Sequence, residues 1–168
     1  MSRPGRLRKA DSKVDTLCRH ICFGEIEAVK ELLTELGLEV TDGYARTALI
    51  NAVINKQHTL IAWLIEKGAN LNHQDRNGYC ALHFIAQNKQ VDLAKLFLEK
   101  GANPNIIDIH GNTPLWTAVF NSKDEKGVLK FLLRHQANPA IINKHGKTAQ
   151  EMYTTLYNAQ ITELSMSF

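Results

Sequence analysis

Cys80 and His83 stand one helical turn apart with Asp75 just upstream, the residue types of a nucleophile, its base and an orienting carboxylate. They also fall on the cap, helix and turn positions of a repeating unit, where structural hydrogen bonding accounts for all three. Cys18 and Cys22 are spaced to share one helix face while His20 projects elsewhere, which gives at most two ligands where structural zinc takes about four. Both cysteines therefore read as small buried apolar side chains. Gly146, Lys147 and Thr148 resemble the end of a phosphate-binding loop, but the glycine that opens such a loop would stand at position 141, which is Ile141. His58, His73, His110, His135 and His145 fall at different repeat positions, with no His-Glu-x-x-His motif or paired-carboxylate cluster. The residues assign no catalytic group, no metal ligand and no cofactor, and the chain reads as a non-enzyme.

What remains is surface, and charge limits what that surface can bind. Arg3, Arg6, Arg8, Lys9 and Lys13 against Asp11 give the first 13 residues +4, so the remainder carries −1 of the total +3. A body without a basic face disfavours nucleic acid. With 44% hydrophobic and 22% charged residues in 168, the composition is that of one globular domain rather than a disordered or collagen-like chain. An odd set of three cysteines and the lack of a leader-like start point to a reducing, cytoplasmic setting. No apolar run reaches the roughly 18 residues of a membrane span. A monomer is expected.

The elements that position this surface come from an internal period. Asp75 to His83 aligns with Asp108 to Trp116 at a shift of 33; Asp42 to Ile50 lies another 33 back, and Asn143 to Gln150 lies 35 on. Gly68-Ala69-Asn70, Gly101-Ala102-Asn103 and Gln136-Ala137-Asn138 repeat in the same register. The two extra residues of the last interval fall in the polar stretch from Asn121 to Gly127. Each unit reads as turn, short helix, turn, longer helix and loop. Thr47 caps a helix predicted over Ala48 to Ile54, Leu60, Ile61, Leu64 and Ile65 form the apolar stripe of the next, and Gly68 ends it. Thr113 caps the equivalent helix downstream, with Pro114 at its first position.

These residues resemble the ankyrin repeat family, with Asp108 to Trp116 and Ala118 carrying the turn-and-helix signature. The resemblance implies an all-α ankyrin-repeat solenoid of helix–turn–helix units with β-turn fingers, and the sequence has a bacterial look. It divides the chain into a disordered basic tail (1–11), an ankyrin-repeat domain (12–160) and a C-terminal tail (161–168). Within the domain lie an N-terminal cap (12–41), repeats at 42–74, 75–107 and 108–142, and a C-terminal cap (143–160) that turns polar at Gln150, Glu151, Thr154 and Thr155. Three departures from the pattern should weaken single repeats: Cys80 for the capping Thr, Ala45 for the turn Gly, and Gln136 for the helix-ending Gly.

The resemblance also implies a protein-binding concave face lined by fingertips and first helices. Carried over by position, the binding residues are Tyr44, Arg46, Arg76, Asn77, Tyr79, Ile109, His110, Asn112, Trp116 and Phe120, with Lys144, His145 and Lys147 at the last fingertip and Ile54 and Gln87 on first helices. Tyr79, Trp116 and Phe120 are expected to form its apolar centre, with Arg46, Arg76 and His110 at the rim. The implied function is a non-enzymatic interaction module for another protein. Its more specific form is a bacterial immunity protein that occludes a cognate toxin or enzyme; the alternative is a regulatory or host-directed adaptor.

Overall fold

The computed structural model describes residues 12–123, 125–161 and 163–166, and the basic tail expected over 1–11 lies outside them. Among the described residues there are ten helices and no strand; the only bridge of strand type pairs Thr41 with Thr47. The chain divides into two compact units, Met1–Arg76 and Asn77–Phe168.

The first unit holds α1 (Ser12–Phe23), α2 (Ile26–Leu36), α3 (Ala48–Ile54) and α4 (His58–Glu66). The predicted cap is present: Thr47 Oγ1 accepts the Ile50 N–H at 3.4 Å, which satisfies one of the orphan donors at the start of α3. Of the stripe expected on α4, Leu60, Ile61 and Leu64 are fully buried and Ile65 is half-buried. Val29 and Leu33 from α2 and Leu17 and Ile21 from α1 complete this core. Burial of each such side chain contributes about 1.5–3 kcal/mol, which is what holds helices too short to persist alone.

The second unit holds α5 (Ala81–Gln87), α6 (Val91–Glu99), α7 (Pro114–Asn121), α8 (Gly127–Arg134), α9 (Ala149–Tyr157) and α10 (Glu163–Met166). The first helices α5, α7 and α9 pack side by side, and the second helices α6 and α8 form a row behind them that α10 extends. Leu82, Ile85, Phe97, Leu115, Val119, Leu129 and Leu132 are shut from solvent where the rows meet. Thr113 Oγ1 accepts the Trp116 N–H at 3.2 Å, with Pro114 at the first position as expected. Thr148 and Glu151 close a reciprocal capping box on α9, each side chain accepting the other's backbone N–H at 3.0 Å. Ile161 is fully buried and α10 packs against α8, so the segment read as a tail beyond residue 160 includes folded structure. An isoleucine among polar neighbours was the signal for it.

The fingers between helical pairs are fixed by their carboxylates and amides. Asp108 Oδ1 accepts the N–H groups of His110 and Asn112, both at 2.8 Å, and Asn143 Oδ1 repeats the pattern with His145 and Lys147 at 2.9 and 3.0 Å. Successive fingers are then joined through backbone: the Ile109 N–H donates to the Asn77 carbonyl at 3.0 Å, and the Lys144 N–H to the His110 carbonyl at 2.8 Å. Gly78 (φ +74°) lies so close to the next finger that a Cβ there would sit 2.9 Å from Asp108 Cα and from Ile109 N. Its missing side chain is what lets the fingers stack.

Candidate interaction surface

In the first unit the finger begins at Asp42, whose Oδ1 accepts the N–H groups of Tyr44 (2.7 Å) and Arg46 (3.0 Å). That turn leaves Tyr44 63% exposed at the tip. Arg46 stands differently. Its Nε donates to Asp75 Oδ2 at 3.2 Å, its guanidinium lies 5.1 Å over the Tyr44 ring, and the Asp75 side chain is 2% exposed. Arg46 thus neutralises a buried carboxylate in its own scaffold, while Arg76 is exposed and joins the finger by donating its N–H to the Tyr44 carbonyl at 2.9 Å. Ile54, near the end of α3, is half-buried.

In the second unit Asn77, Ile109 and His110 are exposed at fingertips, and the His110 ring stacks on His145 with centroids 6.3 Å apart. Tyr79 is half-buried: it stacks on His83 at 4.9 Å and meets Phe84 edge-on at 5.5 Å. Asn112 corrects the fingertip assignment, because it is 8% exposed and its side chain bonds Asp108 Oδ2 at 3.3 Å and accepts from Asn143 Nδ2 at 2.8 Å. The signature position is polar because it joins two fingers, a constraint that position-by-position reasoning about exposure does not see.

On the first helices Gln87 is exposed, and Trp116 and Phe120 stack nearly parallel, 5.6 Å apart at 10°, with Phe120 66% exposed. Trp116 also walls a cavity of about 330 Å³ with Lys147, Glu151, Met152, Thr155 and Leu156. Its indole Nε1 is shielded from solvent and has no hydrogen-bond partner among the described residues. A buried donor left in this state costs about 1–3 kcal/mol. Four of the lining residues come from α9, which the sequence marks only as a polar capping helix. Their grouping depends on how α9 is rotated against α7.

The residues that suggested chemistry are held otherwise. Cys80 and His83 are buried, and His83 Nδ1 accepts the Cys80 N–H at 3.2 Å with Cys80 Sγ also 3.2 Å away. His83 Nε2 lies 3.1 Å from the Asn112 carbonyl, which can only accept, so Nε2 carries the proton and the ring is neutral. Both ring nitrogens are engaged in tying a helix start to the next finger. Cys18 is half-buried, but Cys22 is exposed, against the expectation that both are buried: α1 packs only one side of its surface. Burial, with the negative charge of Asp42 next, pushes the Cys18 thiol up to about 11. Among the described residues no three His, Cys, Asp or Glu side chains group as metal ligands.

Comparison with family models decides the assignment: one of three ankyrin repeats matches residues 17–108, and one of a single ankyrin repeat matches 110–144. The chain belongs to the ankyrin repeat family. No curated protein matches it. Ankyrin repeats are in general protein–protein interaction modules on an all-α, non-enzymatic scaffold. The matched region begins at residue 17, within α1, and covers α2. No described helix is long and apolar enough to cross a membrane.

Proposed function

We propose that this ankyrin repeat protein acts by binding a partner protein, and that in its second unit the contact is made by the exposed fingertips Ile109 and His110 and by the Trp116–Phe120 pair on α7. The observation that supports this most is Phe120, a large aromatic side chain 66% exposed yet stacked against a second aromatic ring. A rigid aromatic pair of this sort loses little conformational freedom on contact, the property that makes aromatics binding hot spots. Inhibition of a toxin or enzyme by occlusion is the more specific form; it rests on the resemblance and needs no chemistry from the chain itself.

The test is affinity capture with the full chain from its native cell, then calorimetry with the captured protein. Phe120→Ala is expected to weaken binding about tenfold or more while the thermal melt moves little. Arg76→Ala is expected to act mildly and mainly at low salt. Normal binding by Phe120→Ala and Trp116→Ala together would move the contact to another surface.

A further inference from the structure

We propose that the outer edge of the finger over 143–147 receives a backbone segment of the partner protein, which joins the row of fingers by donating an N–H to the His145 carbonyl. This inference rests on the protein-binding reading above and names the chemistry of one contact. Within the second unit each finger is met by the next through backbone. The Asn77 carbonyl accepts the Ile109 N–H at 3.0 Å, and the His110 carbonyl accepts the Lys144 N–H at 2.8 Å. Those acceptors stand two residues after Asp75 and Asp108, and His145 stands two after Asn143. His145 is exposed, and its carbonyl accepts no hydrogen bond from the described residues.

The glycine that follows each acceptor gives a second, independent measure. A Cβ on Gly78 would lie 2.9 Å from Asp108 Cα and Ile109 N, and one on Gly111 would lie 3.1 Å from Asn143 Cα and Lys144 N. Gly146 holds the same left-handed backbone, φ +71° beside +74° and +79°, yet nothing lies within 4 Å of its Cβ position. The finger over 143–147 thus presents the acceptor and the bare glycine that the two before it use for stacking. Asn143 Oδ1 fixes both in place by accepting the His145 and Lys147 N–H groups at 2.9 and 3.0 Å, so little order has to be gained on binding. What covers these positions inside the row is main chain rather than a side chain. The matching group on a partner is accordingly a backbone N–H, as when a strand is added to an open sheet edge.

A phage-displayed library of disulfide-closed loop peptides, selected on the full chain and counter-selected on Gly146→Asn, tests this. Asn tolerates a left-handed backbone, so the variant keeps the turn while its side chain fills the space over residue 146. The surviving peptides should bind Gly146→Asn about tenfold or more weakly, and Gly101→Asn, with the same backbone and equally open surroundings, like the parent chain. Thermal melts check that both variants fold. Binding to the parent chain should shift the His145 carbonyl carbon resonance, and N-methylation of one peptide amide, not of its neighbours, should remove binding; neither readout depends on the variants. No surviving peptide, an unmoved carbonyl resonance, or binding that tolerates N-methylation at every position would each overturn the proposal. Self-association of the parent chain in sedimentation, lost in Gly146→Asn, would give the edge to a second copy and overturn it too. If the captured partner is lost on Phe120→Ala but kept by Gly146→Asn, protein binding at α7 stands and only the finger-edge assignment fails.

Discussion

Replacing Gly78 by Ala separates two contributions that every finger combines. The first is backbone conformation. Gly78 has φ +74°, and an L residue there carries about 1 kcal/mol or somewhat more, partly offset by the lower entropy of the unfolded Ala chain. The second is contact: the new Cβ would lie 2.9 Å from Asp108 Cα and Ile109 N, atoms of the next finger's backbone that cannot rotate away. Forcing a methyl into packed structure costs about 1–3 kcal/mol. Gly101 isolates the first contribution, because it sits in the same unit at φ +86° with nothing within 4 Å of its Cβ position. Gly101→Ala is therefore expected to lose about 1 kcal/mol and Gly78→Ala about 2–4, a large fraction of a marginal stability of roughly 5–15. Urea unfolding followed by circular dichroism measures both. The Ile109 N–H bond to Asn77 should also weaken in Gly78→Ala, seen as faster amide exchange at Ile109 but not in Gly101→Ala. Equal losses in the two variants would refute the argument that close finger stacking, and not only a left-handed backbone, requires glycine at position 78.

Gln136 has φ 64° where Gly68 and Gly101 end the equivalent helices, so Gln136→Gly should raise stability by about 0.5–1 kcal/mol, read as a higher urea midpoint. Cys80→Thr should add about 0.5–1 kcal/mol by replacing the weak thiol acceptor of the α5 capping box with the hydroxyl oxygen that Thr47 and Thr113 provide elsewhere; a lowered midpoint would show that the thiol beside His83 is the better fit. Arg46→Ala should destabilise by about 1–3 kcal/mol, because it strips a partner from the buried Asp75 carboxylate, and a melt unchanged by it would return Arg46 to the binding surface. The Cys18 thiol titrates near 11 in the folded chain and near 9 unfolded, so between these values the unfolded state has released the proton and the folded state has not. Stability should thus fall as pH rises from 9 to 11, and Cys18→Ser should flatten that slope relative to the parent protein.

The repeat itself was legible before any coordinates. Thr47, Thr113 and Pro114 announce helix starts through local hydrogen-bond and backbone preferences, and the apolar stripe of Leu60, Ile61 and Leu64 announces the buried side of α4, because these depend on residues only a few positions apart. The left-handed backbone at Gln136 could likewise be read by aligning it with Gly68 and Gly101. Tertiary structure alone decided which polar and aromatic residues remain available. Asn112 and Arg46 occupy fingertip positions by register yet are drawn into bonds with Asn143 and Asp75, residues about thirty positions away that the stacking of neighbouring repeats brings near. The cavity beside Trp116 was likewise invisible, since its walls join α7 to α9, which α8 and a finger separate along the chain. In the segment after α7, Ser122 meets the Tyr157 hydroxyl at 2.7 Å and Lys126 lies 4.5 Å over the Tyr157 ring, so the rotation of α9 follows from contacts that no local pattern encodes. Short-range preferences set each repeat's helices and turns, whereas the free surface is what remains after packing between neighbouring repeats has claimed its share of side chains.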